Sequence, residues 1–333
     1  MRFFGAIALV AALAFPFAGR AQGAVRTQGF VGIAPGRSLY VDYIRPAEGM
    51  PTVVLVNGLT YRTGAGCWEA FANQLESRGY GVFMWDPVGM GQTLLRDLAP
   101  VAAIDYRGQV NDMSLLLDRV GIAGPLNIVG LSYGGGLAIA FAASVPASRI
   151  GTVTLMSPYT ERVAGQENWI QKQIAQTHAL FPLNPASNAD LYDYFLRAVV
   201  YGTFPSVEPI VLENPYKLEA VFRLSQGLES FDASEYVGRL PASSIHLLIA
   251  RQDQYIANGV LDAFWETIPL AARLSRLYVE ESEHKIPEAV PAFAASLMDL
   301  ILNHDQALSG GRTFTASPSQ NTLQEIDHAA RAP

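Results

Sequence analysis

At 333 residues, with 50% hydrophobic and only 16% charged residues, the chain can bury a large core, which excludes an intrinsically disordered protein. Its formal net charge of −7 and its lack of a basic stretch exclude nucleic acid as an expected partner. Cys67 is the only cysteine, so no intrachain disulfide can form and stability must come from the core. We interpret Cys67 as a small apolar residue, with a catalytic thiol as the alternative.

The N-terminal residues have the layout of a secretory signal peptide. Arg2 precedes an apolar run from Phe3 to Phe17, and small residues follow as far as Gly23. This run is shorter than the roughly 20 residues that a membrane-spanning helix needs. We therefore expect residues 1–23 to be cleaved and the mature protein to be periplasmic or secreted, without a stable membrane anchor. An uncleaved anchor is the alternative.

From Phe30 onward, short β-rich runs alternate with longer helical patterns, which indicates a largely parallel sheet with helices on both faces. The first two strands, Gly29 to Ala34 and Ser38 to Ile44, are expected to form a hairpin. The other predicted strands span residues 52–56, 81–85, 126–130, 150–156, 245–250 and 274–279. The predicted helices span residues 68–78, 104–120, 133–144, 258–267 and 287–302.

The alternation stops at Pro158. Residues 158–240 have helical patterns without strands and many aromatic side chains, which predicts an inserted helical cap. The core is then formed by residues 24–157 and 241–304. Residues 305–333 are rich in Ser, Gly, Thr and Ala and lack apolar periodicity, so we expect a flexible tail.

The strongest chemical signal is the sequence Gly130-Leu131-Ser132-Tyr133-Gly134, a GxSxG pattern between a predicted strand and a predicted helix. The glycines leave room for a sharp turn that presents a serine hydroxyl at a helix N-terminus, where amide groups stabilise negative charge. The alternative is a glycine-rich turn of a nucleotide-binding fold. The GxGxxG arrangement expected after the first strand of that fold is missing.

With this motif in this position, the chain resembles the α/β-hydrolase superfamily from about residue 30 to residue 304. The resemblance implies a mostly parallel eight-stranded sheet with helices on both faces, interrupted by a helical cap, and a catalytic triad in the order serine, acid, histidine. The matching positions are Ser132 as nucleophile, Asp253 as acid and His284 as base. Asp262, within the following helix, is the rival acid.

The resemblance also implies an oxyanion hole of backbone amides, which we assign to Tyr133 and Leu59. Members of the superfamily often carry a His-Gly pair before the second donor, whereas this chain has Asn57-Gly58, so the role of that histidine has no counterpart here. The segment Asp86 to Thr93 looks like the DxxGxGxS loop of the superfamily. We assign it a structural role.

The mechanism that the resemblance implies is acyl transfer through an acyl-enzyme, with no cofactor and no metal. The aromatic residues of the cap favour a small-molecule ester with an apolar acyl or alcohol group, as in an esterase or lipase. An aminopeptidase or an acyltransferase of the same fold remains open, and so does a non-catalytic binding protein on a hydrolase fold. The other histidines are expected to be packing or surface residues: His178, His246, His304 and His328.

Overall fold

A computed structural model describes residues 10–12, 25–58, 64–96, 104, 106–161, 166–188, 190–191, 194–195 and 231–326. Eleven strands in these residues form one sheet. They are β1 (Val10–Ala12), β2 (Arg26–Ala34), β3 (Arg37–Ile44), β4 (Thr52–Val56), β5 (Gly81–Asp86), β6 (Leu126–Leu131), β7 (Ile150–Met156), β8 (Ile245–Ala250), β9 (Arg273–Val279), β10 (Arg312–Ser317) and β11 (Thr322–Glu325).

Helices connect most of these strands. Within the described residues they are α1 (Gly64–Ser77), α2 (Gly91–Arg96), α3 (Tyr106–Val120), α4 (Tyr133–Ala142), α5 (Gln166–Leu180), α6 (Ser234–Val237), α7 (Asn258–Thr267), α8 (Ile286–Ala289) and α9 (Pro291–Leu302). None of the helices that the structure describes is long and apolar enough to cross a membrane.

The sheet has the order β1-β11-β10-β9-β8-β7-β6-β4-β5-β3-β2. The seven strands from β10 to β5 in this order are parallel to their neighbours, while β3 and β2 add antiparallel strands at one edge. β11 and β1 add antiparallel strands at the other edge. The predicted fold class, a mostly parallel sheet with helices, is therefore confirmed.

Alternating residues of the central strands enter two hydrophobic clusters. Val54 and Val56 of β4 belong to a first cluster with α3, α4 and α7, whereas Val53 and Leu55 belong to a second cluster with α1 and α9. Because successive side chains of a strand point to opposite faces, the two clusters are the two sides of the sheet. Both faces are buried under helices, as expected for a parallel sheet.

The predicted number of strands and the predicted flexible tail are wrong. The sheet has eleven strands among the described residues, and two of the three additional ones, β10 and β11, lie within residues 305–333. β10 pairs in parallel with β9, and it places Phe314 and Ala316 in the second cluster together with Leu323 of β11. β9 and β11 supply hydrogen-bonding partners on both edges of β10, so the short strand needs little apolar periodicity of its own.

The last predicted helix, residues 287–302, is divided into two helices in the structure. α8 ends at Ala289 and α9 begins at Pro291, with Val290 between them in a non-helical conformation, φ −137° and ψ 57°. Proline disfavours a helical residue before it and lacks the amide that a continuous helix requires, which explains the break. Pro291 instead occupies the first turn of α9, where a missing amide has no cost.

Much of the predicted cap, including residues 196–230, lies outside the described residues. The described part contains α5 and a small cluster of Ile170, Ile174, Leu191 and Phe195. The chain leaves the core after β7 and returns before α6. At this base the outgoing and returning segments are paired, because Glu161 forms an antiparallel bridge with Asp232.

Candidate active site

Ser132 lies between the end of β6 and the first residue of α4, with φ 51° and ψ −121°. A non-glycine residue rarely adopts this conformation, which costs on the order of 1–3 kcal/mol. The Ser132 amide donates to the carbonyl oxygen of Met156 at 3.0 Å, which fixes the turn against the neighbouring strand β7. The strained turn and its position at the start of α4 match the predicted nucleophile turn.

The glycines around Ser132 are required by close backbone contacts. A Cβ on Gly130 would overlap the carbonyl oxygen of Gly134, and a Cβ on Gly134 would overlap the carbonyl oxygen of Val56. A Cβ on Gly135 would come within 2.5 Å of the Cβ of Pro158. These glycines let α4 start directly beside β4, β6 and the segment that follows β7.

Asp253 and His284 are brought together although 31 positions separate them. Nδ1 of His284 lies 2.7 Å from Oδ2 of Asp253, and both side chains are buried. The other carboxylate oxygen, Oδ1, accepts from the amides of Tyr255 at 2.8 Å and Ile256 at 2.9 Å. Asp253 therefore has partners for both oxygens and can hold the imidazole in one orientation.

The carboxyl group of Asp253 stays ionised. Burial acts to raise its pKa, but the neighbouring His284 and the hydrogen bonds from the Ile256 and Tyr255 amides outweigh burial and lower the pKa below its usual value. The Tyr255 ring also meets the His284 ring edge to face, with 5.1 Å between centroids. The sequence did not identify Tyr255, although its position two residues after Asp253 is a signal for contact with the same imidazole.

The three predicted residues lie at one edge of the sheet. Ser132 follows β6, Asp253 follows β8 by three residues, and His284 follows β9 by five. Because β6, β7, β8 and β9 are consecutive and parallel, their carboxyl ends meet at the same edge. Ligands of open α/β sheets bind at this edge.

Of the two predicted oxyanion donors, Tyr133 is buried as the first residue of α4, and Leu59 lies outside the described residues. The chain reaches the site just before Leu59. A Cβ on Gly58 would lie 3.5 Å from the Cβ of Ser132, so the backbone of Gly58 runs against the serine. A Cβ at this distance would be in ordinary van der Waals contact with Ser132.

Asn57 occupies the place where members of the superfamily often carry histidine, and its side chain anchors this segment. Its Nδ2 donates to the carbonyl oxygen of Trp85 at 3.1 Å, and its Oδ1 accepts from Nε1 of Trp68 at 2.5 Å. Asn57 is buried, so both polar atoms require such partners. The amide side chain thus ties the segment before Leu59 to β5 and α1, a role that sequence reasoning missed.

The Asp86 loop has the structural role assigned to it. Oδ2 of Asp86 accepts from the amide of Gln92 at 2.8 Å, and the carbonyl oxygen of Asp86 accepts from the Thr93 hydroxyl at 2.7 Å. Gly91 has φ 49°, and a Cβ there would overlap the Asp86 carboxyl. The loop closes on a buried carboxylate and leads into α2.

The rival residues have other partners. Asp262 accepts from Nη1 of Arg276 at 3.2 Å and from the Tyr278 hydroxyl. His246 is buried in β8 with Nδ1 2.8 Å from the Ser275 hydroxyl oxygen, and burial lowers its pKa to about 3. Within the described part of the chain, no group of three or more His, Cys, Asp or Glu residues could hold a metal ion.

A cavity of about 220 Å³ opens beside His284. It is lined by Gln254, Tyr255, Glu283, His284, Lys285, Glu288 and Ala289. Both loops that carry the Asp253–His284 pair therefore contribute to its wall. The lining contains charged residues of both signs, Lys285 with Glu283 and Glu288.

The fold is shared with solved hydrolases. A serine hydrolase of the polyaromatic hydrocarbon-degrading bacterium Cycloclasticus zankles matches with a TM-score of 0.61 and 16% identity, over 84% of this chain and 98% of that one. A membrane phospholipase A matches with a TM-score of 0.61 and 17% identity, over 84% and 86% of the two chains. An esterase of Exiguobacterium antarcticum matches with a TM-score of 0.59 and 17% identity, over 83% and 100%.

A search of curated proteins finds no match. The sequence itself matches the model of the alpha/beta hydrolase family over residues 53–297, which is well over half of the chain. The matched segment contains the Ser132 turn, the Asp253 loop and the His284 loop. The chain is therefore a hydrolase that belongs to the alpha/beta hydrolase family.

Proposed function

We propose that the protein is a serine hydrolase that cleaves carboxylic esters with Ser132, His284 and Asp253 as its catalytic triad. The observation that carries this proposal is the 2.7 Å contact between His284 and Asp253 at the sheet edge where Ser132 occupies its strained turn. A buried ionised carboxylate beside an imidazole is the arrangement that activates a serine hydroxyl.

In the proposed reaction, Asp253 accepts a hydrogen bond from Nδ1–H of His284, which leaves Nε2 unprotonated and able to take the proton of Ser132. The Ser132 oxygen then attacks the ester carbonyl, and His284 donates its proton to the leaving alcohol. Water enters the emptied position, and His284 activates it to release the acid and restore Ser132. The ionised Asp253 stabilises the imidazolium that forms in each half of the cycle.

The amides of Tyr133 and Leu59 are the proposed donors to the oxyanion. Two observations support this: Tyr133 is the first residue of a ten-residue helix directly after Ser132, and the backbone of Gly58 packs against Ser132 immediately before Leu59. Donors fixed in advance around a developing negative charge often provide the largest single contribution to such catalysis.

The proposed substrate is a small ester with an apolar acyl or alcohol group. The aromatic content of residues 158–240 supports this choice, and so do the exposed apolar residues Leu180, Phe181 and Leu183 at the end of α5. Structures of similar fold include proteins named as an esterase and as a membrane phospholipase A, and both names denote enzymes that cleave esters.

The proposal is tested by intact-mass measurement after exposure to a fluorophosphonate, because this probe reacts with an activated serine of any ester specificity. We expect a single adduct on the wild-type protein and none on Ser132→Ala. For His284→Ala, the labelling rate should fall by at least about 1,000-fold, since the base is lost.

Matched controls are Ser144→Ala, two residues after the end of α4, and His178→Ala, in α5. Both should label at the wild-type rate, because these side chains bond to Ala140 and Asn188 rather than to the site. Absence of an adduct on folded wild-type protein would contradict the proposal and favour a non-catalytic binding protein. If the adduct forms, turnover of p-nitrophenyl esters, aminoacyl anilides and acyl acceptors distinguishes an esterase from an aminopeptidase and an acyltransferase.

We also propose that the enzyme is exported to the periplasm or the medium. Support comes from Arg2 and the apolar run that follows it. Cleavage near Gly23 would remove β1, which pairs with β11, and would leave β11 at the sheet edge. Mass measurement of the protein in each fraction of an expressing bacterium tests this, since recovery only at full length in the cytoplasm would contradict export.

A further inference from the structure

The peptide group between Ser132 and Tyr133 is held from its carbonyl side. Its oxygen accepts from the amides of Gly135 and Tyr159, each at 2.8 Å. The N–H of the same peptide group belongs to Tyr133 and is the proposed oxyanion donor. Because a peptide group is planar, partners of its oxygen fix the direction of its N–H, and they also polarise it.

Tyr159 belongs to the base of the cap. It lies three residues after β7, and the next residue, Thr160, accepts at its carbonyl oxygen from the amide of Ala233 at 2.8 Å. With the bridge between Glu161 and Asp232, this bond joins the outgoing and returning segments of the cap. One of the bonds that orient the oxyanion donor therefore comes from the place where the cap attaches.

A second link runs through buried aromatic rings. The Tyr106 hydroxyl donates to the carbonyl oxygen of Tyr133 at 3.1 Å, and the Tyr106 ring stacks on the Tyr133 ring with 4.8 Å between centroids. On its other side, Tyr106 stacks on Phe231 of the returning cap segment at 3.8 Å. Burial raises the pKa of Tyr106 well above its usual value, so its hydroxyl keeps the proton that it donates.

Gly136 provides the space for these rings. A Cβ at this position would lie 2.7 Å from the Tyr106 hydroxyl oxygen, 2.8 Å from the Tyr159 carbonyl oxygen and 2.9 Å from the Phe231 ring. The third glycine after the serine turn therefore allows close approach of the cap base to α4. The reason why glycine is required at position 136 therefore differs from the reason at Gly134 and Gly135, which lie against β4 and Pro158.

From these contacts we infer that Tyr106 and Phe231 are positioning residues that couple the base of the cap to the oxyanion donor of Tyr133. The inference rests on the proposed function. Phe231 holds the ring of Tyr106, and the Tyr106 hydroxyl holds the first turn of α4, whose amide faces the reacting carbonyl. A displaced donor weakens transition-state stabilisation while leaving the substrate's ground-state contacts in place.

The first test is Tyr106→Phe, which removes the hydroxyl and keeps the stacked ring. Labelling by the fluorophosphonate is resolved into the maximal rate of adduct formation and the probe concentration at half that rate. We expect the maximal rate to fall about tenfold and the half-saturating concentration to stay within twofold of the wild type.

Tyr80→Phe is the matched control. Tyr80 is also buried, and its hydroxyl donates to Asp299 at 2.5 Å, but it belongs to the cluster on the opposite face of the sheet. This variant loses a partly buried hydrogen bond without affecting the amide or the carbonyl group of Tyr133. We expect lower thermal stability with unchanged labelling, which separates positioning from a general loss of stability.

The second test is the double-mutant cycle of Tyr106→Phe with Phe231→Leu, with Phe293→Leu in the second cluster as the control for a lost aromatic ring. Phe231→Leu alone should slow labelling about fivefold. The double variant should be no more than about tenfold slower than the wild type, because both changes act through the same contact of Tyr106. Additive losses of about fiftyfold would overturn the coupling.

The outcomes distinguish this inference from the proposed function. Absence of labelling on the wild-type protein refutes the proposed function itself. Wild-type labelling together with a Tyr106→Phe variant that labels at the wild-type maximal rate refutes only the positioning role. A change in the half-saturating concentration alone would also refute it, because it would mean that Tyr106 acts on probe binding.

Discussion

The backbone conformation that presents the Ser132 hydroxyl lowers the stability of the fold. The conformation of Ser132 is one that L-residues rarely adopt, and the glycines around it are needed because their backbones nearly touch. Each of these glycines also has more freedom in the unfolded chain than any other residue. The tertiary contacts of α4, which is buried at every residue, must offset these costs.

Asp253→Asn should reduce kcat about 1,000- to 10,000-fold. If the amide oxygen of the variant keeps the bonds from the backbone at the Oδ1 position, its NH2 group faces Nδ1 of His284. An NH2 group donates, so it favours the His284 tautomer that carries its proton on Nε2, which cannot take the proton of Ser132. Steady-state kinetics on any ester that the wild type hydrolyses measures this effect.

The control is Asp262→Asn, since Asp262 in α7 is the rival acid and binds Arg276 and Tyr278 instead. We expect its kcat to stay within about twofold of the wild-type value. A larger loss in Asp262→Asn than in Asp253→Asn would mean that the acid had been assigned to the wrong residue.

The candidate site could be predicted from sequence where a residue's position along the chain decides its role. Ser132 carries a local motif, and Asp253 and His284 each follow a recognisable strand. Tyr106 and Phe231 could not be identified, because they are 125 positions apart and meet only through the stacking of the cap base on α3 and α4. Asn57 departs from the superfamily pattern in sequence, but its hydrogen bonds to Trp68 and Trp85 depend on the fold.

At the scale of elements, the C-terminal hairpin extends the sheet beyond the segment that matches the family, residues 53–297. It also contacts the loop that leads to His284. The amide of Glu280 donates to the Ala316 carbonyl oxygen at 2.9 Å, and the Ser319 hydroxyl donates to Glu281 at 2.6 Å. β10 and β11 therefore support the strand end from which His284 is presented.

Phe314→Ala in β10 should lower the free energy of unfolding by about 3 kcal/mol, because it removes a buried ring and leaves a cavity in the second cluster. Urea unfolding monitored by circular dichroism measures the change. Phe181→Ala is the control, since Phe181 is 63% exposed, and it should change the free energy of unfolding by less than about 0.5 kcal/mol. A Phe314→Ala variant as stable as the wild type would show that the hairpin is not packed in solution.

The elements that could be predicted are those with strong patterns of their own. β4, β7, β8 and α7 have the predicted bounds, and the other predicted strands, including those of the hairpin, are present with shifts of one to three residues. β10 could not be predicted, because only Phe314 and Ala316 are apolar in Arg312–Ser317 and the polar Thr313 is also buried. Its stability comes from β9 and β11, which are partners in space rather than a property of its sequence.

At the scale of the whole molecule, stability depends on two large hydrophobic clusters, one on each face of the sheet, in a chain with a single cysteine. Polar side chains are placed within these clusters at specific points. His246 in the central strand β8 is one of them, and its ring is almost completely buried with Ser275 as its partner. A titratable group at this depth links the stability of the whole fold to pH.

Burial, with a smaller contribution from the nearby His304, lowers the pKa of His246 to about 3 in the folded protein, compared with about 6.5 when the chain is unfolded. Above pH 6.5 the ring is neutral in both states and costs nothing. As the pH falls below 6.5, only the unfolded chain binds the proton, so the free energy of unfolding decreases by up to about 1.4 kcal/mol per pH unit from this residue.

Urea unfolding between pH 4.5 and 7.5 measures this dependence. His246→Asn removes the titrating group. We expect the slope of unfolding free energy against pH to be smaller in this variant by up to about 1.4 kcal/mol per pH unit, the equivalent of one proton, whatever the variant's absolute stability. His178→Asn is the control and should retain the wild-type slope, because the His178 ring near the end of α5 is only partly buried. Equal slopes for His246→Asn and the wild type would mean that water or a second partner stabilises the charged ring inside the sheet, and that β8 is less tightly packed than the structure indicates.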